Sequence, residues 1–291
     1  MPEFLTTREV ADLLRIKERK VYDLAASGSI PHSKAMGKLL FPREALNAWI
    51  AQASVGRPAV SGEHRPNVFL GSHDPLLDWA LRESQCGIAS WFDGSADGLD
   101  RFENAEGVAS GLHLFEPQAN DWNLPAVSDR FSHGNAVLVR WAIRERGLII
   151  KPELDGKLSD LTALAGCRFA PRQKQSGAQK LFEHLLAQTP TQLSDLTLQA
   201  PARSEVDAAT AVLEGQVDAT FGLQSLARQY RLPFVPLVRE HFDLLIDRHA
   251  WFEPAMQTFW TFCRSQAFTE RAGKLSGYDI DGLGSVRFNS R

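Results

Sequence analysis

The chain has 291 residues, of which 44% are hydrophobic and 23% are charged, ordinary values for a folded protein with a sizeable core. This length favours about two domains. No apolar stretch approaches the ~20 residues that a membrane span needs, and the N-terminus lacks the basic and apolar regions of a secretory signal. The three cysteines are far apart, which is typical of reduced thiols. We therefore expect a cytoplasmic protein that does not associate with membranes.

The net charge of −3 is unevenly distributed along the chain. Residues 1–58 carry nine Lys or Arg and six acidic side chains, a balance of +3 that leaves −6 for the remainder. A small basic end on an acidic body fits a nucleic-acid-binding domain joined to a second domain.

The first 52 residues predict two helices, a hairpin and a closing helix. Thr6 and Glu9 have the spacing of a capping box, and the apolar residues after them repeat at helical spacing. A second helix is expected to end at Gly28, which suits a left-handed C-cap. Two short strands follow, and Pro42 suits the first turn of a third helix. This pattern predicts a winged helix-turn-helix domain over residues 1–52.

Four local patterns carry a resemblance in this region. They are a T-x-x-E-x-A-x-x-L opening, a V-Y pair in the second helix, G-x-I-P before the hairpin and F-P-R-x-x-L-x-x-W at the end. With them, residues 1–52 resemble the small excisionase/MerR-like DNA-binding module. The resemblance implies that the second helix enters the major groove of double-stranded DNA and that the wing contacts the backbone or the minor groove. Charge and placement select the candidate contacts, which are Lys17, Arg19, Lys20 and Tyr22 on the helix and His32, Lys34 and Lys38 on the wing.

A linker and a second domain follow. Residues 53–66 are rich in Gly, Pro and Ser, which predicts the linker. Over residues 67–291, short apolar strands alternate with helices, and this alternation favours an α/β domain with a parallel sheet. Two later apolar runs, 233–237 and 242–247, are predicted as separate strands, and 254–272 as one long closing helix.

Ligands of such sheets bind where strands end and helices begin. Ser72 and Ser95 occupy that position after two predicted strands. Ser176 and Gly177 occupy it after another, where unpaired backbone N–H groups, the helix dipole and a hydroxyl form an anion site. The alternative is that Ser176 merely caps a surface helix. Arg172 stands just before this helix start.

Segments covering nearly all of 67–275 carry a second resemblance, above all the block VDAATAVLEGQVDATFGLQSLARQYRLPFVPLVREHFDLLID. With them the body resembles the periplasmic-binding-protein superfamily, in the intracellular form joined to a helix-turn-helix. The resemblance implies two lobes, which we place at 67–118 with 232–291 and at 119–231. It marks Ser72, Ser95, Ser176 and Gly177 as ligand-loop positions that face each other across a cleft. Where relatives carry Arg-Gln-x-Gly-Ser-Gly, this chain has Arg172-Gln-Lys-Gln-Ser-Gly177 and lacks one glycine.

The predicted ligand is a small anion. Hydroxyls and backbone N–H groups at three helix starts suit an oxyanion such as molybdate or tungstate, which such relatives bind. His73 and His113 lie at strand ends near the cleft and are candidate donors to the anion, the alternative being packing at its rim. Arg172 is a further candidate contact, and it would instead favour an anionic organic ligand such as a cofactor-type phosphate.

The chain shows no sequence pattern of a catalytic or metal site. Its histidines lack metal-ligand spacing, its serines lack the G-x-S-x-G elbow of hydrolases, and residues 94–98 lack the lysine of a phosphate-binding P-loop. No nucleophile, base and orienting residue come together. We expect no catalytic residue, no metal and no cofactor other than a bound oxyanion.

These patterns predict an α/β, two-lobed, periplasmic-binding-protein-like body behind an N-terminal winged helix-turn-helix. The predicted function is that of a one-component transcriptional regulator, a homodimer that binds operator DNA and senses a small anion in its cleft. Two alternatives remain open. One is a DNA-binding recombination or architectural accessory protein, and the other is an enzyme of molybdenum-cofactor handling.

Overall fold

The structure, a computed structural model of the chain, describes residues 4–35, 37–46, 49 and 65–291. Contacts divide the chain into two units, Met1–Glu63 and His64–Arg291, called here the head and the body. Within the described ranges, no helix is both long and apolar enough to span a bilayer.

The described residues of the head include two helices, a further helical stretch and a small antiparallel sheet in the order β1-β3-β2. Its elements are β1 (Phe4–Leu5), α1 (Thr7–Leu14), α2 (Glu18–Ala26), β2 (Ser33–Ala35) and β3 (Lys38–Pro42). Residues 43–46 are helical. The predicted capping box is confirmed, since Glu9 N–H donates to Thr6 Oγ1 at 3.3 Å and Thr6 N–H donates to Glu9 Oε2 at 2.7 Å.

The head has a core of its own. Its most buried side chains, each at most 1% exposed, come from α1, α2, the segment before β2, β3 and the helical residues 43–46: Val10, Val21, Ile30, Phe41 and Leu46. The turn between α1 and α2 is tight because Arg15 adopts a left-handed conformation, with φ 51°. Gly28, with φ 67°, ends α2 as expected.

The body is built on a ten-stranded sheet of order β11-β10-β12-β9-β13-β6-β4-β5, with β14 and β15 also paired to β9. Its strands are β4 (Val68–Gly71), β5 (Ala89–Trp91), β6 (Ala109–Leu112), β9 (Ala136–Ile150), β10 (Arg168–Ala170), β11 (Thr197–Leu198), β12 (Ala219–Leu223), β13 (Phe234–Asp247), β14 (Tyr278–Asp279) and β15 (Val286–Asn289). A separate hairpin pairs β7 (Phe115–Glu116) with β8 (Asp121–Trp122).

Helices cover this sheet. They are α3 (Pro75–Glu83), α4 (Ser95–Glu103), α5 (Leu124–Phe131), α6 (Gly177–Leu186), α7 (Glu205–Leu213), α8 (Gln224–Gln229), α9 (Arg248–Trp251), α10 (Pro254–Cys263) and α11 (Gln266–Lys274). β4, β5 and β6 are parallel to each other, as are β10, β11 and β12. β9 is antiparallel to β12, β13 is antiparallel to β6, and β9 and β13 are antiparallel to each other. The α/β class is therefore confirmed.

Two long antiparallel strands, β9 and β13, connect the lobes. β9 has 15 residues and β13 has 14, so the prediction of two separate strands within 234–247 is wrong. Register shifts at Pro236 and Phe242 bend β13 without ending it. Gly147 permits the two strands to approach closely, because a Cβ at this position would overlap the Val235 carbonyl.

The lobe boundary differs from the predicted one at residue 119. Val127 and Phe131 of α5 and Leu138 of β9 pack with Leu70 and Leu99 in one core of the first lobe. The second lobe begins only in the distal half of β9, where residues 146–150 pair with β12. The prediction is wrong because a strand shared by both lobes leaves no loop at which the sequence could mark the boundary.

Two other predicted boundaries also change. The closing helix is two helices, since Ser265 accepts a hydrogen bond from Phe268 N–H at 3.3 Å and so caps a new start. The linker prediction of 53–66 mostly lies outside the described residues, but Arg65 belongs to the body. Its guanidinium donates to the carbonyls of Phe102 and Gly107 and pairs with Asp247 at 3.1 Å.

Candidate functional site

The first lobe brings Ser72 and Ser95 together. Ser72 directly follows β4, and Ser95 begins α4 after Gly94, whose φ of 111° turns the chain into the helix. The two Oγ atoms are 2.8 Å apart, and His113 N–H donates to Ser95 Oγ at 3.0 Å. All three residues are at most 7% exposed. Hydroxyls from two strand ends therefore converge beside His113.

The second lobe reaches the same point through the start of α6. Ser176 caps this helix by accepting from Gln179 N–H at 3.1 Å, so the capping alternative is confirmed as one role of its hydroxyl. Gly177 packs against the first lobe: a Cβ added to it would lie 3.2 Å from both Cε1 and the carbonyl oxygen of His113. The first N–H groups of α6 lack intrahelical acceptors. The predicted ligand loops of both lobes thus meet at His113.

His73 lies apart from this convergence. It is exposed, and its ring packs edge-on against Phe92 with centroids 5.7 Å apart. Arg172 lies in the second lobe. Its side-chain Nη1 donates to the Ala202 carbonyl at 2.6 Å, and its backbone N–H donates to Gln179 Oε1 at 2.8 Å. Arg172 therefore holds two loops of the second lobe together, and burial lowers its pKa.

A chain of charges, buried except for the partly exposed Glu205, runs between the lobes and was missed by the sequence analysis. We call it the hinge network. It consists of Asp74, Arg144, Arg146, Glu205 and Glu240. Arg144 on β9 donates to Asp74 Oδ2 at 2.8 Å and to Glu240 Oε1. Arg146 donates to Glu240 Oε2 and to Glu205 Oε1, both at 2.7 Å. Asp74 caps α3 in the first lobe, and Glu205 begins α7 in the second.

Mutual pairing keeps Glu240 and its two arginine partners ionised. Burial by itself raises the pKa of the Glu240 carboxyl, but the guanidinium groups of Arg144 and Arg146 outweigh it and hold that pKa well below its usual range. Burial likewise lowers the pKa of Arg144, and the carboxylates of Glu240 and Asp74 reverse this and raise it. His113 Nδ1 lies 3.0 Å from Glu240 Oε2, so the network also contacts the residue at which the ligand loops meet.

One sequence signal could have identified the hinge network. Arg144 and Arg146 lie in a largely apolar strand, which also contains Arg140 and Glu145, and because they are two residues apart they lie on the same face of it. Charges at such positions are rarely buried unless they are paired. Their partners are Asp74, Glu205 and Glu240, which are 59 to 96 residues away in the chain, so spacing could not reveal the pairs.

Acid should weaken the body through this network. The folded-state pKa values of Glu205 and Glu240 lie below their usual range. The stabilisation that both carboxylates contribute is therefore fully present above the unfolded-state pKa of about 4.3. It is lost as the pH falls through the lower folded-state pKa values. Urea midpoints measured from pH 7 to pH 3 should fall steeply below about pH 4.3. A Glu240→Gln chain, which lacks one titrating group, should fall less steeply, and an equal slope would contradict the assignment.

The head exposes most of the predicted DNA contacts. Lys17, Arg19, Lys20 and Tyr22 are exposed on or just before α2, and Lys34 and Lys38 are exposed on the hairpin. His32 differs, because it is half-buried with Nδ1 3.0 Å from the Ile30 carbonyl and its ring near Phe41. DNA contact by these residues stays a prediction.

The described residues offer no obvious metal site, since no three His, Cys, Asp or Glu side chains among them come close enough to hold a cation. The chemistry they do offer at the cleft is hydrogen bonding from hydroxyls, backbone N–H groups and buried guanidinium groups. A profile of the PBP superfamily domain matches residues 79–264, more than half of the chain. The chain belongs to the PBP superfamily. A helix-turn-helix domain profile matches residues 4–54 of the head.

This PBP-superfamily chain is similar to one protein by sequence and to one solved structure by fold. It is 24% identical to the uncharacterized protein YvgK of Bacillus subtilis (strain 168) over 301 aligned positions, covering 97% of this chain and 96% of the relative. A solved structure described as a periplasmic transporter is 13% identical, with a TM-score of 0.55 over 75% of this chain and 88% of the other. This structural likeness shows the fold alone. The matched domains are of DNA-binding and ligand-binding types.

Proposed function

We propose that the protein is a transcriptional regulator that binds operator DNA with its head and senses a small anion in the cleft of its PBP body. The observation that carries the proposal is the convergence at His113: the hydroxyls of Ser72 and Ser95 and the start of α6 at Gly177 meet there from opposite lobes. Hydroxyls and helix N-termini stabilise negative charge without a neutralising cation. Oxyanions such as molybdate and tungstate are the first candidates.

The anion would act by favouring the closed arrangement of the lobes, because a ligand shifts an equilibrium only through different affinities for its two states. A binding site made of Ser95 in one lobe and Gly177 in the other is complete only when both lobes contact the anion. In a homodimer, closure would change the spacing of the two heads and hence their fit to two DNA half-sites. The mass of the chain in solution, with and without DNA, tests the dimer.

Removing the Ser95 hydroxyl should weaken anion binding about tenfold, the loss expected for one hydrogen bond to a charged group. The measurement is the rise in unfolding temperature with increasing molybdate or tungstate, compared between the wild-type and Ser95→Ala chains. Ser176→Ala should weaken binding similarly, but it also removes the cap of α6, so its unfolding without ligand must be measured as well.

Ser84→Ala is the matched control, because Ser84 is a half-buried hydroxyl at the far end of α3. It should leave the anion response unchanged. A wild-type chain that no oxyanion or anionic metabolite stabilises would contradict the sensor proposal and favour a recombination or architectural accessory protein. Turnover of a molybdenum-cofactor compound would instead favour an enzyme.

A further inference from the structure

A cavity of about 510 Å³ lies beside α8, and we call it the rear pocket. Residues of α8 and of the start of β13 form one side of it, and its apolar members Leu232 and Phe234 pack with the core of the second lobe. Ser276 forms the other side, in a segment whose neighbours Leu275 and Tyr278 pack on the core of the first lobe. Small-molecule sites usually have volumes of roughly 300–1,000 Å³. A cavity of ligand size thus lies where the two lobes join.

The rear pocket and the hinge network are on opposite faces of β9 and β13. Phe234 pairs with Ile149 of β9, and its ring lies 3.0 Å from the position that a Cβ on Gly147 would take. Successive side chains of a strand point to opposite faces, so Gly147 and Ile149 face away from the side that Arg144 and Arg146 occupy. Those two arginines belong to the hinge network, which reaches the predicted ligand loops. The rear pocket is therefore a cavity separate from the cleft.

The polar lining of the rear pocket is positively charged. Arg228 and Arg231 line it together with Gln224 and Ser276, and no acidic side chain is among its described lining residues. Both arginines are exposed, and neither side chain makes an ion pair or a hydrogen bond with another described residue. Two guanidinium groups beside one cavity repel each other, and an anion bound between them removes that repulsion. The charge of the lining thus favours an anionic occupant.

Arg231 has a backbone conformation that favours glycine. It follows the end of α8 with a φ of 56°, and its N–H donates to the Arg228 carbonyl at 3.1 Å. Glycine is the usual residue in this left-handed position after a helix, because a Cβ is strained there. The fold alone would be served better by glycine, whereas the arginine side chain lines the cavity. An arginine at position 231 therefore suits a binding role better than a structural one.

The rest of the lining is apolar. Ala227 and Leu232 are at most 7% exposed, and Phe234 is half-buried beside them. Such a surface gains from contact with the carbon atoms of a ligand and gains nothing from a small hydrated ion. The lining therefore fits a molecule with two parts, an apolar body and an anionic group.

We propose that the rear pocket is a second ligand site, which binds an organic anion with an apolar, ring-containing body. The guanidinium groups of Arg228 and Arg231 hold the anionic group. Ala227, Leu232 and Phe234 contact the body of the ligand. Because the walls come from both lobes, an occupant favours the arrangement of the lobes in which both walls contact it. The site requires no anion in the cleft.

Naphthoate, a carboxylate on two fused aromatic rings, is the probe. Calorimetric titration of the full chain should detect its binding. Naphthylmethanol keeps the rings and lacks the charge, so it should bind at least roughly tenfold more weakly. Propionate keeps the charge and lacks the rings, so it should also bind at least roughly tenfold more weakly. No binding of naphthoate, or equal affinity for either analogue, overturns the inference.

An Arg228→Gln, Arg231→Gly chain should bind naphthoate at least roughly tenfold more weakly than the wild type. Its unfolding midpoint should be no lower, because glycine favours a φ of 56°, so unfolding would not explain the loss of binding. Lys157→Gln with Arg264→Gln is the matched control, since it removes two exposed cations elsewhere on the body and should keep wild-type binding. Binding that the control weakens equally, or that Ser95→Ala weakens while the rear-pocket variant does not, overturns the inference and leaves the sensor proposal standing.

Discussion

A Glu240→Ala chain should lose about 3–5 kcal/mol of unfolding free energy, the loss expected when one partner of a buried ion pair is removed. Glu240 is fully buried and bonded to two guanidinium groups, those of Arg144 and Arg146. Both arginines are themselves at most 1% exposed, so neither can turn to water when the carboxylate is gone. Urea unfolding of the full chain, followed by tryptophan fluorescence, measures the change.

The control for this prediction is Glu103→Ala, which removes an exposed carboxylate paired with Arg130 on the surface of the first lobe. Surface pairs contribute little, so its midpoint should barely move. A Glu240→Ala chain as stable as the control would show that the hinge network is not a buried, charged unit. A Glu240→Gln chain should fall between the two, because the amide keeps one acceptor and loses the charge.

Replacing Arg19 and Lys20 together with alanine should weaken DNA binding about 60-fold at 0.1 M salt, if each contacts one phosphate. Each phosphate contact contributes about 0.9 to the slope of log affinity against log salt, so the slope should fall by about 1.8. Both side chains are exposed on α2 of the head. Because this part of the affinity does not depend on sequence, a labelled duplex of mixed sequence suffices, with fluorescence anisotropy measured at several salt concentrations.

A double substitution on the body separates DNA contact from general loss of positive charge. Arg82→Ala with Lys274→Ala removes two exposed cations from α3 and α11 and should leave the salt slope unchanged. If the head and body variants change DNA binding equally, the head does not carry the contacts. An unchanged slope in the Arg19→Ala, Lys20→Ala chain would contradict the assignment of α2 to the DNA.

The ligand loops were predictable because each depends on neighbours in sequence. Ser95 and Ser176 stand where an apolar run ends and helical spacing begins, and the structure has a helix starting at each. His73 was grouped with them, but its ring packs against Phe92, because sequence marks the end of a strand and not which way the side chain leaves it. Arg172 was proposed as a ligand contact just before the start of α6. In the structure its Nη1 donates a hydrogen bond to the Ala202 carbonyl.

The hinge network could not be predicted in the same way. Its pairs join residues brought together by β9 and β13, and whether Arg146 faces a carboxylate or water depends on the register of those strands. The same cause displaced the lobe boundary, because β9 belongs to both lobes. The need for a glycine at position 147 likewise depends on a distant neighbour, because it is the Val235 carbonyl that leaves no room for a Cβ there.

The sequence by itself determined the local structure of this protein: the capping box at Thr6, the left-handed end of α2 at Gly28, and the serines at helix starts follow from interactions a few residues long. It also determined the two-part organisation, since composition and periodicity change near residue 67. Only the tertiary structure decided which charges are buried and which atoms remain unpaired, because burial and pairing are set by contacts between distant strands.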